Sequence, residues 1–347
     1  MANAKFNLSL PSNEPIKSYA PGTPERKDIK AKLKELKARQ VEIPIIIGGK
    51  EVKTGNLGEC VLPHDHKTAV GTYHKAGEKE IQEAIETSLM VHRQWAEMDW
   101  QDRASIFLRA ADILAGPWRS LLNAASMLCQ SKNVFQAEVD AACEFIDFLR
   151  FNAFYAMQIY EQQPPISTTG TWNRLEYRPL EGFIFASTPF NFTSIAGNLP
   201  SAPAIMGNVA LWKPASNATY PAYYLMKLFQ EAGVPDGVIN FIPGAGSKVG
   251  PIIMNSPDLA GIHFTGSTAT FQNMWQTVGN NIKNYKSYPR IVGETGGKNF
   301  IFVHKDTKID ELGTALIRGA FEYQGQKCSA ASRAYIPSSL WIDLKDF

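Results

Sequence analysis

Cys328 lies in Phe321-Glu-Tyr-Gln-Gly-Gln-Lys-Cys-Ser-Ala, and Glu294 opens Glu294-Thr-Gly-Gly-Lys-Asn. A thiol among small neighbours can act as a covalent nucleophile, and a carboxylate followed by glycines can act as the base that resolves its adduct. Such a base has to reach the proton or the water it handles. A lowered thiol pKa would favour the reaction. Lys327, beside the nucleophile, could favour the thiolate or hold a substrate carboxylate.

Further candidates fall at the ends of apolar runs. Ser187-Thr-Pro-Phe-Asn-Phe192 follows the run Gly182–Ala186. An Asn there can aim its amide at a developing oxyanion, although Asn and Pro are equally at home in a plain turn. Lys213 and Ser216 follow Asn208–Trp212, where a Lys could donate to ribose hydroxyls or phosphate. Pro243-Gly-Ala-Gly-Ser-Lys-Val-Gly250 contains Gly246 and Gly250 in a spacing one residue longer than the usual dinucleotide fingerprint. Phe264-Thr-Gly-Ser267 reads as strand, tight turn and helix N-terminus, a place for phosphate. Taken in order, these strand ends suit a nucleotide spread across a switch point.

The elements that must position them divide the chain. Residues 1–22 read as a polar, Pro-rich arm, and Thr23-Pro24-Glu25 opens a helix with a capping hydroxyl and Pro at its first turn. Ile43–Ile47 reads as one short strand. Residues 78–160 read as helices, with His92 at the edge of an apolar stripe and a long helix from Val134 to Tyr160. Thereafter strand, turn and helix alternate, which predicts a parallel, doubly wound α/β sheet. Segments 23–286 and 287–347 are expected to form two domains, the second carrying Cys328 and Glu294.

The chain has 347 residues, a net charge of +2 and 44% hydrophobic residues. That balance offers no basic surface for nucleic acid and no stretch long enough to cross a membrane. Its start shows neither a signal nor a transit pattern, so the expected compartment is the cytoplasm, or the mitochondrial matrix for a processed eukaryotic protein. Cys60, Cys129, Cys143 and Cys328 form no CxxC pair, so no disulfide framework or metal site is expected, and Cys129 and Cys143 read as buried small hydrophobes.

The ordered set Ser187-Thr-Pro-Phe-Asn-Phe, Trp212-Lys-Pro, Phe264-Thr-Gly-Ser, Glu294-Thr-Gly-Gly-Lys and Gly325-Gln-Lys-Cys-Ser resembles the aldehyde dehydrogenase superfamily. Leu180-Glu-Gly-Phe, Gly207-Asn-Val-Ala-Leu-Trp-Lys-Pro, Asp147-Phe-Leu-Arg-Phe-Asn and the surroundings of Cys328 are similar to its branch acting on Δ1-pyrroline-5-carboxylate, the cyclic form of L-glutamate γ-semialdehyde. The resemblance implies a Rossmann-like NAD-binding domain with an N-terminal helical region and an incomplete α/β catalytic domain. It implies Cys328 as nucleophile, Asn191 as oxyanion donor and Glu294 as base. Ser187, Thr188, Pro189, Phe190, Lys213, Ser216, Gly246, Gly250 and Ser267 would bind NAD, and Glu144, Phe192, Lys327 and Ser329 the aldehyde. Ser216 stands where many members carry a ribose-binding Glu, which leaves NADP open.

Members of that superfamily continue well beyond the position of Phe347, so the chain is expected to be a C-terminally shortened member, poorly soluble and inactive alone, of a parent that is a homo-oligomer. Two alternatives stand beside this reading: a dehydrogenase for another semialdehyde, and a non-catalytic nucleotide-domain fragment that acts as a binding protein.

Overall fold

The computed structural model describes residues 7–346; residues 1–6 of the expected arm lie outside them. The chain forms two compact units. The larger takes the chain to Thr265 and then Asn273–Gly293; the smaller holds Gly266–Gln272 and the chain from Glu294 onward.

The larger unit opens with helix α1 (Pro24–Ala38), followed by short strands β1 (Val41–Ile43), β2 (Ile45–Ile47) and β3 (Lys50–Val52), and the hairpin β4 (Leu57–Leu62) and β5 (Asp65–His74). The run expected to be one strand over 43–47 breaks at Pro44. Proline has no N–H for a ladder, so β1 pairs with β5 in one sheet while β2 joins another. Helices α2 (Glu78–Glu97), α3 (Trp100–Ala115) and α4 (Arg119–Gln130) follow, then α5 (Val134–Ala137), a π-helical turn over Glu138–Cys143, and α6 (Glu144–Glu161). The helix expected from 134 to 160 is therefore continuous but wound wider in its first third.

Strands β6 (Phe183–Ser187), β7 (Val209–Lys213), β8 (Ile239–Phe241), β9 (Leu259–Thr265) and β10 (Arg290–Glu294) alternate with α7 (Thr193–Ile205), α8 (Thr219–Ala232), α9 (Gly246–Met254) and α10 (Thr268–Asn280). All five residues of β6 and of β7 are buried, which is why these strands read as unbroken apolar runs. The sheet order is β10-β9-β6-β7-β8-β2-β3. From β6 the chain winds outward through β7 and β8, then returns to lay β9 on the other side of β6. That reversal makes the β6–β9 boundary a switch point.

The core beneath α8 is aromatic. Phe107, Phe145 and Trp212 present edges to Phe229 at centroid distances of 6.1, 6.0 and 6.2 Å. Buried Arg103 reaches backbone carbonyls at two helix ends, Met98 after α2 and Ile205 at the end of α7, and bonds the Tyr160 hydroxyl. The carbonyls left open at a helix C-terminus need such donors.

The arm is docked. Tyr19 donates its hydroxyl to Glu138 at 2.7 Å, and the Lys17 backbone N–H donates to the same carboxylate at 2.8 Å. Glu138 is fully buried in the π-helical turn and is held by the Arg119 guanidinium and by Asn123 at 2.8 Å. Arg119 also grips Glu14, which pairs with Arg150 at 2.7 Å.

In the smaller unit, β11 (Asn299–Phe302) and β12 (Ala331–Tyr335) run parallel, with Phe302 opposite Tyr335. Helix α11 (Ile309–Phe321) and helix α12 (Ser338–Lys345) close a small core of Val303, Leu312 and Leu344. Phe302 is 79% and Phe321 71% exposed, and among the described residues no further strand joins this pair.

Candidate functional site

Register brings the expected nucleotide motifs of the larger unit to one level. Ser187 pairs with Lys213 on one side and with Phe264 on the other, so β6, β7 and β9 present their carboxyl ends together. The next strand keeps step: the Ile242 N–H bonds the Trp212 carbonyl at 2.9 Å. Ser187, Thr188 and Pro189 are buried, whereas Phe190 is exposed. The Thr188 N–H bonds the Lys213 carbonyl at 3.2 Å, and its hydroxyl accepts from Trp212 Nε1 at 3.1 Å. This ties the β6 turn to the end of β7.

Lys213 is buried, and its Nζ donates to the Pro214 carbonyl at 3.0 Å. Burial lowers its pKa to about 8, because the ammonium loses solvation. A Cβ on Gly246 would stand 3.9 Å from Lys213 Nζ, so the ammonium lies beside the first turn of α9. Ser216 donates to the Gly244 carbonyl at 3.4 Å. An ammonium, a hydroxyl and the free N–H groups of a helix start thus share one strand-end region, a donor set suited to ribose and phosphate oxygens. Gly250 is buried one turn further into α9.

Of the residues expected at the aldehyde, Phe192 is the chain neighbour of the oxyanion candidate. Asn191 and Phe192 directly precede α7, and Glu144 begins α6. Glu144 accepts the Ser194 hydroxyl at 2.5 Å, which answers the cost of a carboxylate among apolar neighbours. It also lines a cavity of about 740 Å³ with Glu14, Cys143, Asp147, Phe148 and Phe151. Sequence reasoning missed the partners on the far side of this turn. Lys132 lies 4.7 Å from the Phe192 ring centroid, and Thr193 is bonded by Ser126 and Gln130. Their only local signal is a Lys within the Ser131-Lys-Asn turn after α4.

The smaller unit brings the nucleophile and the base together. The Cys328 thiol is half-buried and donates to the Glu294 carboxylate. Its pKa is pushed up, first by burial and then by that hydrogen bond and the carboxylate charge. The resting group is a thiol with its proton aimed at a base, not the preformed thiolate that a lowered pKa would give. A Cβ on Gly297 would fall 1.5 Å from the Cys328 carbonyl oxygen, so the absence of a side chain at 297 is what lets the two segments touch. Before Cys328 the backbone is left-handed at Tyr323 (φ 49°), Gln324 (φ 53°) and Gly325 (φ 71°). Two consecutive non-glycine residues in that region cost about 1–3 kcal/mol each, a strain that clusters at functional turns. Lys327 lies 3.5 Å from Glu322, Ser329 is exposed, and the Ser267 hydroxyl accepts the Thr270 N–H at the start of α10.

Among the described residues no helix is long and apolar enough to cross a membrane, and no group of His, Cys, Asp and Glu is arranged to hold a metal ion. Cys129 and Cys143 are buried. His92 bonds the Leu180 carbonyl at 2.8 Å, a structural contact.

Residues 52–346 match the model of the aldehyde dehydrogenase family. The chain is 50% identical over 341 residues to a probable delta-1-pyrroline-5-carboxylate dehydrogenase of Schizosaccharomyces pombe, covering 97% of this chain and 62% of that protein. It is 50% identical over 339 residues to the delta-1-pyrroline-5-carboxylate dehydrogenase of Agaricus bisporus, with the same coverage. A crystal structure of the Mycobacterium tuberculosis enzyme of that name, bound with NAD, superposes with a TM-score of 0.96 at 52% identity, covering 99% of this chain and 64% of that one. The chain thus spans about 62% of the length of the curated relatives it matches.

Proposed function

This chain belongs to the aldehyde dehydrogenase family, and from that premise we propose that it carries the nucleotide-binding and nucleophile-bearing parts of an NAD-dependent dehydrogenase that oxidises L-glutamate γ-semialdehyde to L-glutamate, a step of proline breakdown. The observation that carries the reading is the Cys328 thiol donating to Glu294. The substrate is taken from relatives named for Δ1-pyrroline-5-carboxylate at 50% identity.

In this reading Cys328 Sγ bonds the aldehyde carbon as Glu294 takes the thiol proton. Asn191, from its place in the Ser187–Phe192 segment, donates its amide to the oxyanion of the thiohemiacetal. NAD, when bound, accepts the hydride. Ser187, Thr188, Pro189, Phe190, Lys213, Ser216, Gly246, Gly250 and Ser267 are the residues assigned to hold it. What supports that fit is the Lys213 ammonium beside the open N-terminus of α9, next to the Ser216 hydroxyl. Once the hydride has left the thiohemiacetal carbon and Glu294 has passed the first proton to solvent, Glu294 deprotonates a water that attacks the resulting Cys328 thioester; the C–S bond breaks, the sulfur takes that proton and the carboxylate leaves. Glu144, Phe192, Lys327 and Ser329 are assigned to the aldehyde.

The test is NADH formation from L-glutamate γ-semialdehyde by the purified chain, beside a form extended to the length of its relatives. NADH that disappears in Cys328→Ala supports the reading. No NADH from either form, a preference for succinate semialdehyde, or turnover unaffected by Cys328→Ala overturns it.

A further inference from the structure

Lys132 and Asp140 form an ion pair at 2.7 Å that is closed to solvent, the residues being 3% and 2% exposed. Neither belongs to the chemistry above. Replacing a buried ion pair by apolar residues of similar volume is often neutral or stabilising, so its presence is not explained by stability. Its surroundings point elsewhere. Asp140 lies within the π-helical turn, a winding that appears mostly as a local bulge at functional places. The ammonium that Asp140 fixes stands 4.7 Å from the centroid of Phe192, the residue after Asn191.

The segment after Asn191 is gripped residue by residue. Phe192 meets Lys132; the Thr193 hydroxyl is bonded to Ser126 at 2.7 Å and to Gln130 at 3.0 Å; Ser194 donates to Glu144 at 2.5 Å. An apolar neighbour would fill space beside the ring but would not orient it. A fixed cation does, because the ring face carries the negative part of its quadrupole and has to turn toward the charge. The oriented ring, together with the Thr193 and Ser194 hydroxyl bonds, holds the segment that follows Asn191.

We propose that Lys132 and Asp140 are positioning residues, which hold the Asn191 amide in its working direction through the ring of Phe192. This rests on the reading of Asn191 as the oxyanion donor, and the test separates the two.

The chain is labelled with 15N-asparagine, and the Asn191 side-chain amide pair is identified by its loss in Asn191→Asp. The double variant Lys132→Met, Asp140→Asn removes both charges without stranding either. It is expected to shift or broaden the Asn191 pair, as is Phe192→Leu, while Lys132→Arg keeps it in place. In turnover, the double variant is expected to lower kcat about tenfold or more with KM little changed, the mark of a donor displaced from the developing charge. An unmoved Asn191 amide in the folded double variant overturns the proposal. If that variant does not fold, an unmoved amide in Phe192→Leu overturns it equally. No NADH from the wild-type form extended to the length of its relatives counts against the proposed function, while the amide signals still decide the positioning role.

Discussion

The Cys328 thiol donates its hydrogen bond to Glu294, and the same carboxylate that receives the proton also keeps it on the sulfur. Burial acts first and the carboxylate adds to it, so replacing Glu294 by Gln removes only part of the upward shift. In Glu294→Gln the thiol is expected to titrate at lower pH than in the wild type while turnover falls by about 10²–10⁴, the usual worth of a positioned base. Alkylation rate against pH reads the first and NADH formation the second.

Gly297 gives a steric test of the same pair. A methyl group there collides with the Cys328 carbonyl, so the nucleophile loop must move. Because a displacement near 1 Å costs about 10² in rate, Gly297→Ala is expected to lower kcat by about that factor and to leave the unfolding midpoint of the larger unit unchanged. Turnover assays and thermal unfolding check the two halves.

Lys213, with its pKa lowered to about 8 by burial, loses its charge within an accessible range. NAD affinity is expected to weaken as pH rises through 8. Lys213→Met is expected to cost about 1.5–3 kcal/mol, roughly 10- to 100-fold in Kd, as for other hydrogen bonds from a charged donor. Calorimetric titrations at pH 7 and pH 9 on both proteins test this, and the variant should show little pH dependence.

The buried Arg119–Glu138 pair anchors the arm. Burial works to raise the Glu138 pKa, but the Arg119 hydrogen bond and charge, with the Lys17 and Tyr19 donors, prevail and lower it from its ordinary 4.5. A carboxylate depressed in the fold stabilises fully above its unfolded value and loses that contribution as pH falls through its folded value. Denaturation midpoints are therefore expected to hold above about pH 5 and to fall below pH 4.5. Arg119→Met, which strands the carboxylate, is expected to cost about 3–5 kcal/mol in urea unfolding.

How far the sequence reveals this depends on the kind of signal. β6 and β7 are legible because strands covered on both faces are apolar throughout, and the residues that follow them, Ser187 and Lys213, are marked by that run. Cys328 and Glu294 are legible because small neighbours around a thiol and glycines after a carboxylate are unusual company. Pro44 carries its own signal, the missing N–H that splits β1 from β2. The π-helical turn is not legible, since a wider winding changes no residue type. Nor is the burial of Lys132 and Asp140, because charged residues are most often solvated and nothing in the sequence shows that the turn after α4 sets Lys132 against Asp140. For the same reason a Pro-rich arm gives no hint that Glu14 and Tyr19 reach Arg119 and Glu138.

The docked arm also imposes an order in time. The Lys17 N–H and the carboxylate that receives it are separated by 121 residues. At a synthesis rate of about 5–20 residues per second, Lys17 leaves the ribosome roughly 6–24 seconds before Glu138. Through that interval the segment around Tyr19 has its local bonds to Glu25 and Arg26 but not the Glu138 carboxylate, and it can settle only after α4 and the π-helical turn have emerged. A segment made early is therefore among the last to find its place.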